Sequence, residues 1–500
     1  MVDEEIELED MESDIKKEEI ESKRVLKNII IVLISNIFSI LSGILVGFII
    51  PKMMGVSEYG YYKTFSLYSS YIGILHLGFI DGIYLKFAGK KIEELNKEKF
   101  RLYFRFLFLM QLLMTGVVLL IALCFLNTNY FIILVFVALD ILATNIITYY
   151  EFISQITLQF KRISLRNIIR NSLNIVAIVI LYLLYRFNNV VIYNYIYTAI
   201  VVGLQYVMAI WYVISYKNLS FGKAAKFKDE LKNIKDLFKV GIQLLLATLI
   251  GQLMFIADQQ IVNVFFDNDT YSTYAFAYTM INLITIATSA ISTVLYPTLK
   301  IMNNETVKNK YSTLNSYLLM FVSLCLLIYF PLYVIINKFL PQYVSSLSIF
   351  VIILPGVLIS SSIAVIKYNC YKTFNKIKSY FLKSLVMLIV AVVADIIVYF
   401  IFKSTISISI VSIAVLATWY LLVEYYFIKE FKVKWIKNFI YMCFIIGGFY
   451  GINYIPNIYL AGVSYLGYYI LLTLLFYFEI VKGFFIDIKG FFRSKIKKSV

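Results

Sequence analysis

The chain has 500 residues, 61% hydrophobic and only 15% charged, whereas a soluble domain holds about 45–50% apolar and about 25% charged residues. Its net charge of +16 comes from 46 Lys and Arg spread over short segments rather than gathered in one domain, which excludes a nucleic-acid-binding module. Apolar runs of about 20 residues exclude a β-barrel and leave an α-helical membrane protein, since lipid offers no partners to open backbone groups.

Residues 1–27 form an acidic cytoplasmic tail, with eleven acids and five bases, a composition that predicts disorder. No signal peptide precedes the first apolar span, which is expected to act as an uncleaved insertion signal. Fourteen apolar spans follow: 28–50, 64–86, 102–126, 130–153, 166–185, 190–214, 238–266, 271–297, 314–337, 343–366, 380–402, 406–428, 436–455 and 459–481. Of the 46 Lys and Arg, only Lys52, Lys63, Arg186, Lys338 and Lys403 fall in one set of alternate connections; all others fall in the opposite set, termini included. Cytoplasmic loops are the ones rich in Lys and Arg, so both termini are expected in the cytoplasm and the span number is even. The excess of basic residues on that face also attracts anionic membrane lipids.

The outer connections are very short, so no external domain is expected. The longest inner connection, 215–237, spaces Phe227, Leu231, Ile234 and Phe238 along one line with Lys226, Lys228, Lys232 and Lys235 off it; this reads as an amphipathic helix on the cytoplasmic membrane surface. It divides a six-helix lobe, 28–214, from a second six-helix lobe, 238–428, with 429–500 an appended helix pair and basic cytoplasmic tail. Tyr59-Gly60-Tyr61-Tyr62 after span one and Tyr271-Ser272-Thr273-Tyr274 after span seven lie at an offset of 212 residues. With six helices between them, the two lobes have the same orientation, a parallel pseudo-repeat about an axis normal to the membrane; chance in a tyrosine-rich chain is the other account of the match.

Polar residues inside spans are the candidates for function. Span one carries Ser35, Ser39 and Ser42 beside Gly43 and Gly47, a face for sugar hydroxyls along a central path or, as favoured here, for close helix packing. His76, the single histidine, lies deep in span two, in line with Ser69 and Gly73. Asp81 is five residues further on, about 140° away around a continuous helix, so the two are not expected to share a face. Asp140 lies near the middle of span four, Asp258 toward the outer end of span seven, and Asp395 in the outer half of span eleven. Each is an ion- or proton-coupling candidate, as is Asp81, and each is equally read as a hydrogen-bonded bundle residue.

Span five holds Arg166, Asn167, Arg170, Asn171 and Asn174 on one stripe reaching about 12 Å into the membrane. One reading is a cationic cavity wall that grips phosphate; the other is arginines snorkelling to headgroups with asparagines bridging helices. Span eight carries a neutral stripe of Tyr278, Asn282, Thr285, Ser289, Ser292 and Tyr296, a wall for sugar hydroxyls or a packing face. Lys86, Arg105, Lys367 and Lys383 lie at cytoplasmic span ends and are expected to flank rather than line a cavity. Cys124, Cys325, Cys370 and Cys443 have no metal spacing and read as small core hydrophobes. No metalloprotease, phosphate-binding-loop or nucleophile-elbow motif is present, so the chain reads as a non-enzyme with no cofactor, and any driving energy comes from an ion gradient, the membrane potential or the substrate gradient.

Pro51-Lys52-Met53-Met54-Gly55 with Glu58, Tyr59 and Gly60, and then Tyr71 through Gly78, Asp81 and Gly82, resemble the opening of the Wzx-type polysaccharide flippases of the MATE-like superfamily. Ala257-Asp258-Gln259-Gln260-Ile261, Tyr274-Ala275 and Val294-Leu295-Tyr296-Pro297 extend the resemblance. So do Leu354-Pro355, Lys367-Tyr368-Asn369, Tyr371-Lys372 and Lys376-Ile377-Lys378. The resemblance covers about residues 25–385. It implies alternating access between two six-helix lobes, and a polyprenyl-pyrophosphate-linked oligosaccharide as the cargo in surface polysaccharide assembly. On it, Arg166, Arg170, Asn167, Asn171 and Asn174 become pyrophosphate candidates, and His76, Tyr278, Asn282, Thr285, Ser289 and Ser292 cavity-lining candidates. An H+ or Na+ gradient and the glycan polymerase and glycosyltransferases of the same pathway are the implied partners. Lipid II flippases, close relatives, are expected to carry arginines in the first span, and this span has none. A cation-coupled multidrug exporter of the same fold is the alternative; fourteen spans and the two arginines argue against it. A membrane glycan polymerase or acyltransferase is disfavoured by the short outer loops.

Overall fold

The computed structural model describes residues 35–187, 191–292, 295–296, 298–300, 302–433 and 435–482; the acidic tail 1–27 and the basic tail from 483 onward lie outside them. The described residues form helices throughout, in two compact units, 1–249 and 250–500. Among the described residues, ten helices are long and apolar enough to cross a membrane, or twelve when two bent pairs are each one span, so the chain is a multi-pass membrane protein.

In the first unit, the apolar stretch Ser35–His76 (α1) bends at Gly55, whose backbone is non-helical. A tight turn over Ile72–His76 ends at Leu77 in the left-handed region (φ 52), Gly78 follows at φ 84, and Phe79–Phe87 (α2) resumes. Lys97–Leu123 (α3) starts where the Asn96 side chain accepts the Lys99 amide. Tyr130–Ile156 (α4), Phe160–Phe187 (α5) and Asn194–Ser215 (α6) complete the series. The helix Phe227–Leu253 (α7) follows and runs past the division between the units.

The core of this unit is aromatic. It gathers Phe79, Ile80 and Ile83 of α2, Phe100, Tyr103 and Leu107 of α3, Tyr149, Tyr150 and Ile153 of α4, Tyr212, Tyr216, and Ile234 and Leu237 of α7. Helix α2 meets α7 backbone to backbone. A Cβ on Gly241 would lie 1.9 Å from the Gly78 oxygen, and a Cβ on Gly78 would lie 2.5 Å from the Ile242 nitrogen; only glycine permits this approach. The amphipathic segment is therefore no separate helix. Its charged turns are the start of α7, and Ile234 and Leu237 are buried against protein, while Phe227 and Leu231 remain exposed.

In the second unit, Ala257–Phe265 (α8) follows a break at 254–256. Asn268–Ser292 (α9) is capped by Asp267, which accepts the Asp269 and Thr270 amides. The hydrogen bonds from the Thr270 hydroxyl and these amides hold the Asp267 carboxyl below its usual range. Asn304–Phe339 (α10) is next, then Ser346–Ile353 (α11) and Gly356–Thr373 (α12), which meet at a 44° bend beside Pro355. Residues Ser362–Lys367 of α12 form a π-helical turn. Ile377–Phe402 (α13) and Thr405–Phe431 (α14) end on Lys403 and Lys432 in the left-handed region. Ile436–Ile452 (α15) and Ile458–Lys482 (α16) form the last pair.

Both tyrosine pairs of the sequence repeat are buried, Tyr59 and Tyr62 in one unit, Tyr271 and Tyr274 in the other. Of the cysteines only Cys370 is buried; Cys124 and Cys443 are exposed. The expectation of core positions misjudges those two because, in a membrane protein, an apolar side chain gains nothing from leaving a lipid-facing surface.

Candidate functional site

The α5 stripe divides along its length. At its deeper end, Asn171 Nδ2 donates to Ser39 Oγ at 2.8 Å and Asn174 Nδ2 donates to Ser42 Oγ at 3.1 Å. Tyr197 OH donates to Asn174 Oδ1 at 3.2 Å. Two serines spaced by three on α1 thus meet two asparagines spaced by three on α5, and these side chains are paired away from lipid. At the shallower end Arg166 is 4% exposed. Its guanidinium stacks 3.8 Å above the centre of the Tyr212 ring, with Trp211 and Tyr216 each 5.8 Å away. Its Nε and Nη1 are buried and make no hydrogen bond. Asn167 and Arg170 are half-buried on the same helix. The arginine neither snorkels nor forms an ion pair among the described residues; an aromatic box holds the cation and leaves two donors unused.

Helix α4 packs against the box, and α3 fixes the connection that follows it into α7. Tyr150 stacks on Tyr212 and Tyr216, and Ser154 Oγ lies 2.7 Å from Tyr216 OH. Arg101 donates to the carbonyls of Asn218 and Lys223, and Arg105 to that of Gly222, fixing the connection into α7. Arg105, expected only to flank a span, thus has this joining role. Glu230 pairs with Lys99 at 2.8 Å and accepts from Tyr103 OH and Asn233 Nδ2. Burial works against ionisation of Glu230, but the hydrogen bonds from Lys99, Asn233 and Tyr103 and the Lys99 charge outweigh it and hold the carboxyl below its usual range.

His76 and Asp81 come together, against the helical-wheel expectation. Leu77 and Gly78 break the helix, so the 100° rotation per residue no longer applies, and His76 Nδ1 lies 3.5 Å from Asp81 Oδ2. Both residues are buried, and His76 Nδ1 also accepts the Gly78 amide at 3.3 Å. Asp140 accepts from Thr144 Oγ1 at 2.9 Å on its own helix.

In the second unit Asp258 sits in a hydroxyl cage. Tyr274 OH donates to Oδ2 at 2.8 Å, Ser412 Oγ at 3.1 Å, and Tyr278 OH also donates to it. Asp395 is buried in electrostatic reach of Asp258, with Oδ1 unpaired. Tyr278 thus turns to the acid rather than to the neutral stripe. Along the rest of that stripe Asn282 and Ser289 are exposed and Thr285 and Ser292 half-buried; Ser292 Oγ accepts from Asn369 Nδ2 at 2.7 Å. Lys367, expected to flank a span, is instead fully buried. It pairs with Glu424 at 3.1 Å, donates to Ser362 Oγ at 2.7 Å and lies 3.8 Å over the Tyr420 ring.

Sequence reasoning passed over Glu151, Ser412, Glu424 and the aromatic box. For Glu151 and Glu424 the signal was available, a carboxylate inside an apolar span; for the box, Tyr212 and Tyr216 at a spacing of four.

The model of the polysaccharide biosynthesis protein family matches residues 25–303. Among solved structures, the lipid II flippase MurJ in an inward closed conformation superposes with a TM-score of 0.65 at 14% identity, covering 91% of this chain and 100% of that one. A multidrug resistance MATE family transporter of the MOP superfamily, in an inward-facing conformation, superposes with a TM-score of 0.57 at 11% identity, covering 81% of this chain and 98% of that one. At such identities the likeness concerns the fold. No curated protein matches the chain in sequence.

Proposed function

The chain belongs to the polysaccharide biosynthesis protein family, and from that premise we propose that it flips polyprenyl-pyrophosphate-linked oligosaccharide units across a prokaryotic cytoplasmic membrane by alternating access. The observation that carries this reading is Arg166, 4% exposed, with two guanidinium donors unpaired. A buried cation with free, forked donors fits the paired oxygens of a phosphate. Arg170, one turn along α5, supplies a second charge, and Asn167 a further donor. Asn171 and Asn174 hold the stripe against α1. The pyrophosphate head enters from the cytoplasm while the polyprenyl tail stays in lipid, and Asn282, Thr285, Ser289 and Ser292 meet sugar hydroxyls. The chain acts as a carrier and not as an enzyme.

Asp258 and Asp395 are assigned the coupling ion, H+ or Na+; the hydroxyl cage on Asp258 supports this, with Asp81, beside His76, and Asp140 as further coupling groups. Fourteen crossings with both termini inside follow from the Lys and Arg distribution, with residues 56–87 and the 17-residue Ile436–Ile452 counted as crossings. A cation-coupled exporter of the same fold is the second reading, favoured by the caged Asp258; two arginines in the first unit suit a cationic drug poorly.

The test is to delete the gene and profile membrane polyprenyl-pyrophosphate-linked glycans, complementing with wild type and with Arg166→Ala/Arg170→Ala. The expected result is an inward-facing intermediate that accumulates in the deletion and in the double variant alike. Unchanged lipid-linked pools would move the assignment to the exporter, and transport at wild-type rate by the double variant would overturn the pyrophosphate site.

A further inference from the structure

The arginine site carries a carboxylate of its own. Glu151 lies on α4, inside an apolar helix, where an ionisable side chain is costly unless it has a task or a partner. Tyr212 joins it to the arginine: the ring lies 3.8 Å beneath the Arg166 guanidinium, and the hydroxyl donates to Glu151 Oε1 at 3.4 Å. Glu151 is within electrostatic reach of both Arg170 and Arg166. Yet among the described residues neither arginine makes an ion pair at 4.0 Å or less, and Arg166 Nε and Nη1 stay uncommitted.

This separation has a chemical meaning. In direct contact, Glu151 would occupy the guanidinium fork, and an incoming anion would first have to break a buried ion pair, which is strongly unfavourable. Held off the fork, it offsets the arginine charge and leaves the donors open. An anion that then takes those donors stands near a second negative charge, which weakens its hold. For a carrier, which must release what it binds, a site of two arginines alone grips a dianion too long.

We propose that Glu151 is the resident counter-anion of the Arg166–Arg170 site, limiting its affinity for pyrophosphate so that the headgroup is released after each crossing. This rests on the assignment of the arginines to pyrophosphate made above. Glu151 acts through charge and touches no reacting atom; it is a tuning residue for affinity and release.

The test uses the purified full-length protein and inorganic pyrophosphate as the probe, with binding measured by calorimetry on wild type, Glu151→Gln, Glu151→Ala, Glu151→Asp, Arg166→Gln and Arg170→Gln, each checked for monodispersity. Glu151→Gln, and Glu151→Ala where the amide variant fails to fold, is expected to bind roughly tenfold or more tightly than wild type, since one negative charge near the ligand is gone. Glu151→Asp, which keeps the charge, is expected to bind nearly as wild type, separating charge from packing. Loss of binding in the arginine variants with no gain in the neutral Glu151 variants would overturn the counter-anion role and leave the arginine site intact. Wild-type binding in the arginine variants would overturn the underlying site itself.

Discussion

Replacing Gly241 with alanine tests the packing that sets α2 against α7. The added Cβ would lie 1.9 Å from the Gly78 oxygen and 2.3 Å from the Gly82 nitrogen, both backbone atoms. Ordinary contact begins near 3.4 Å, so the two helices must part by about 1.5 Å, and no rotamer change relieves the clash. Parting them loosens Phe79, Ile80 and Ile83 from Ile234 and Leu237, and a gap of about 1 Å already forfeits a quarter to a half of each contact's attraction. The cost is about 3 kcal/mol, the upper end for overpacking. Gly203→Ala is the control, because a Cβ there meets nothing within 4 Å and gains helix propensity of about 1 kcal/mol. Both variants and wild type are to be unfolded by denaturant in one detergent, following near-ultraviolet circular dichroism. Equal midpoints for the two alanine variants would refute the reasoning.

Lys367→Met removes the cationic partner of the buried Glu424, leaving it the Tyr311 hydroxyl at 2.7 Å, and is expected to lower stability by about 3–5 kcal/mol. Adding Glu424→Leu should return part of that loss in the same unfolding assay, and no recovery would count against the pair. Glu230→Gln removes the partner of Lys99. Because the folded Glu230 carboxyl is held below its usual value, its contribution is present above pH 4.5 and is lost as pH falls through the folded value. The melting temperatures of wild type and Glu230→Gln should therefore differ at neutral pH and converge on acidification, and a difference constant with pH would contradict this. A double-mutant cycle between Asn171→Ala and Ser39→Ala should show a coupling of about 0.6 kcal/mol, typical of interhelical hydrogen bonds in membranes; zero coupling would mean that the Ser39–Asn171 contact does not tie α5 to α1.

Much of the architecture was legible because the bilayer writes strict rules into sequence. Apolar length marks most of the membrane-spanning helices. What escaped was whatever depends on chain departures or on distant partners. A helical wheel separates His76 from Asp81 by construction, and two residues with positive φ undo the wheel. Lys367 looked like a span-end flank because its partner, Glu424, lies two helices later in the chain. Arg166 stands out in the sequence as a buried-span arginine, while the aromatic box of Trp211, Tyr212 and Tyr216 around it needed three-dimensional packing to appear. Asp258 and Asp395 were named one by one; their proximity, and the hydroxyls of Tyr274, Tyr278 and Ser412 on one of them, needed three-dimensional packing to appear.

The π-helical turn at Ser362–Lys367 has a consequence for comparing relatives. Such a turn holds one residue more than an α-helical turn, so everything after it is rotated by about 100° from the phase of an uninterrupted helix. Asn369, which reaches Ser292, and Tyr371, which reaches the Val423 carbonyl, owe their directions to that extra residue. A relative of equal length without the π-turn would present a different face of the same helix while aligning without any gap. The counterpart of the buried lysine should therefore be sought by helical phase, one position away, rather than by column, and gain or loss of the π-turn at constant chain length offers evolution a step that re-aims half a helix.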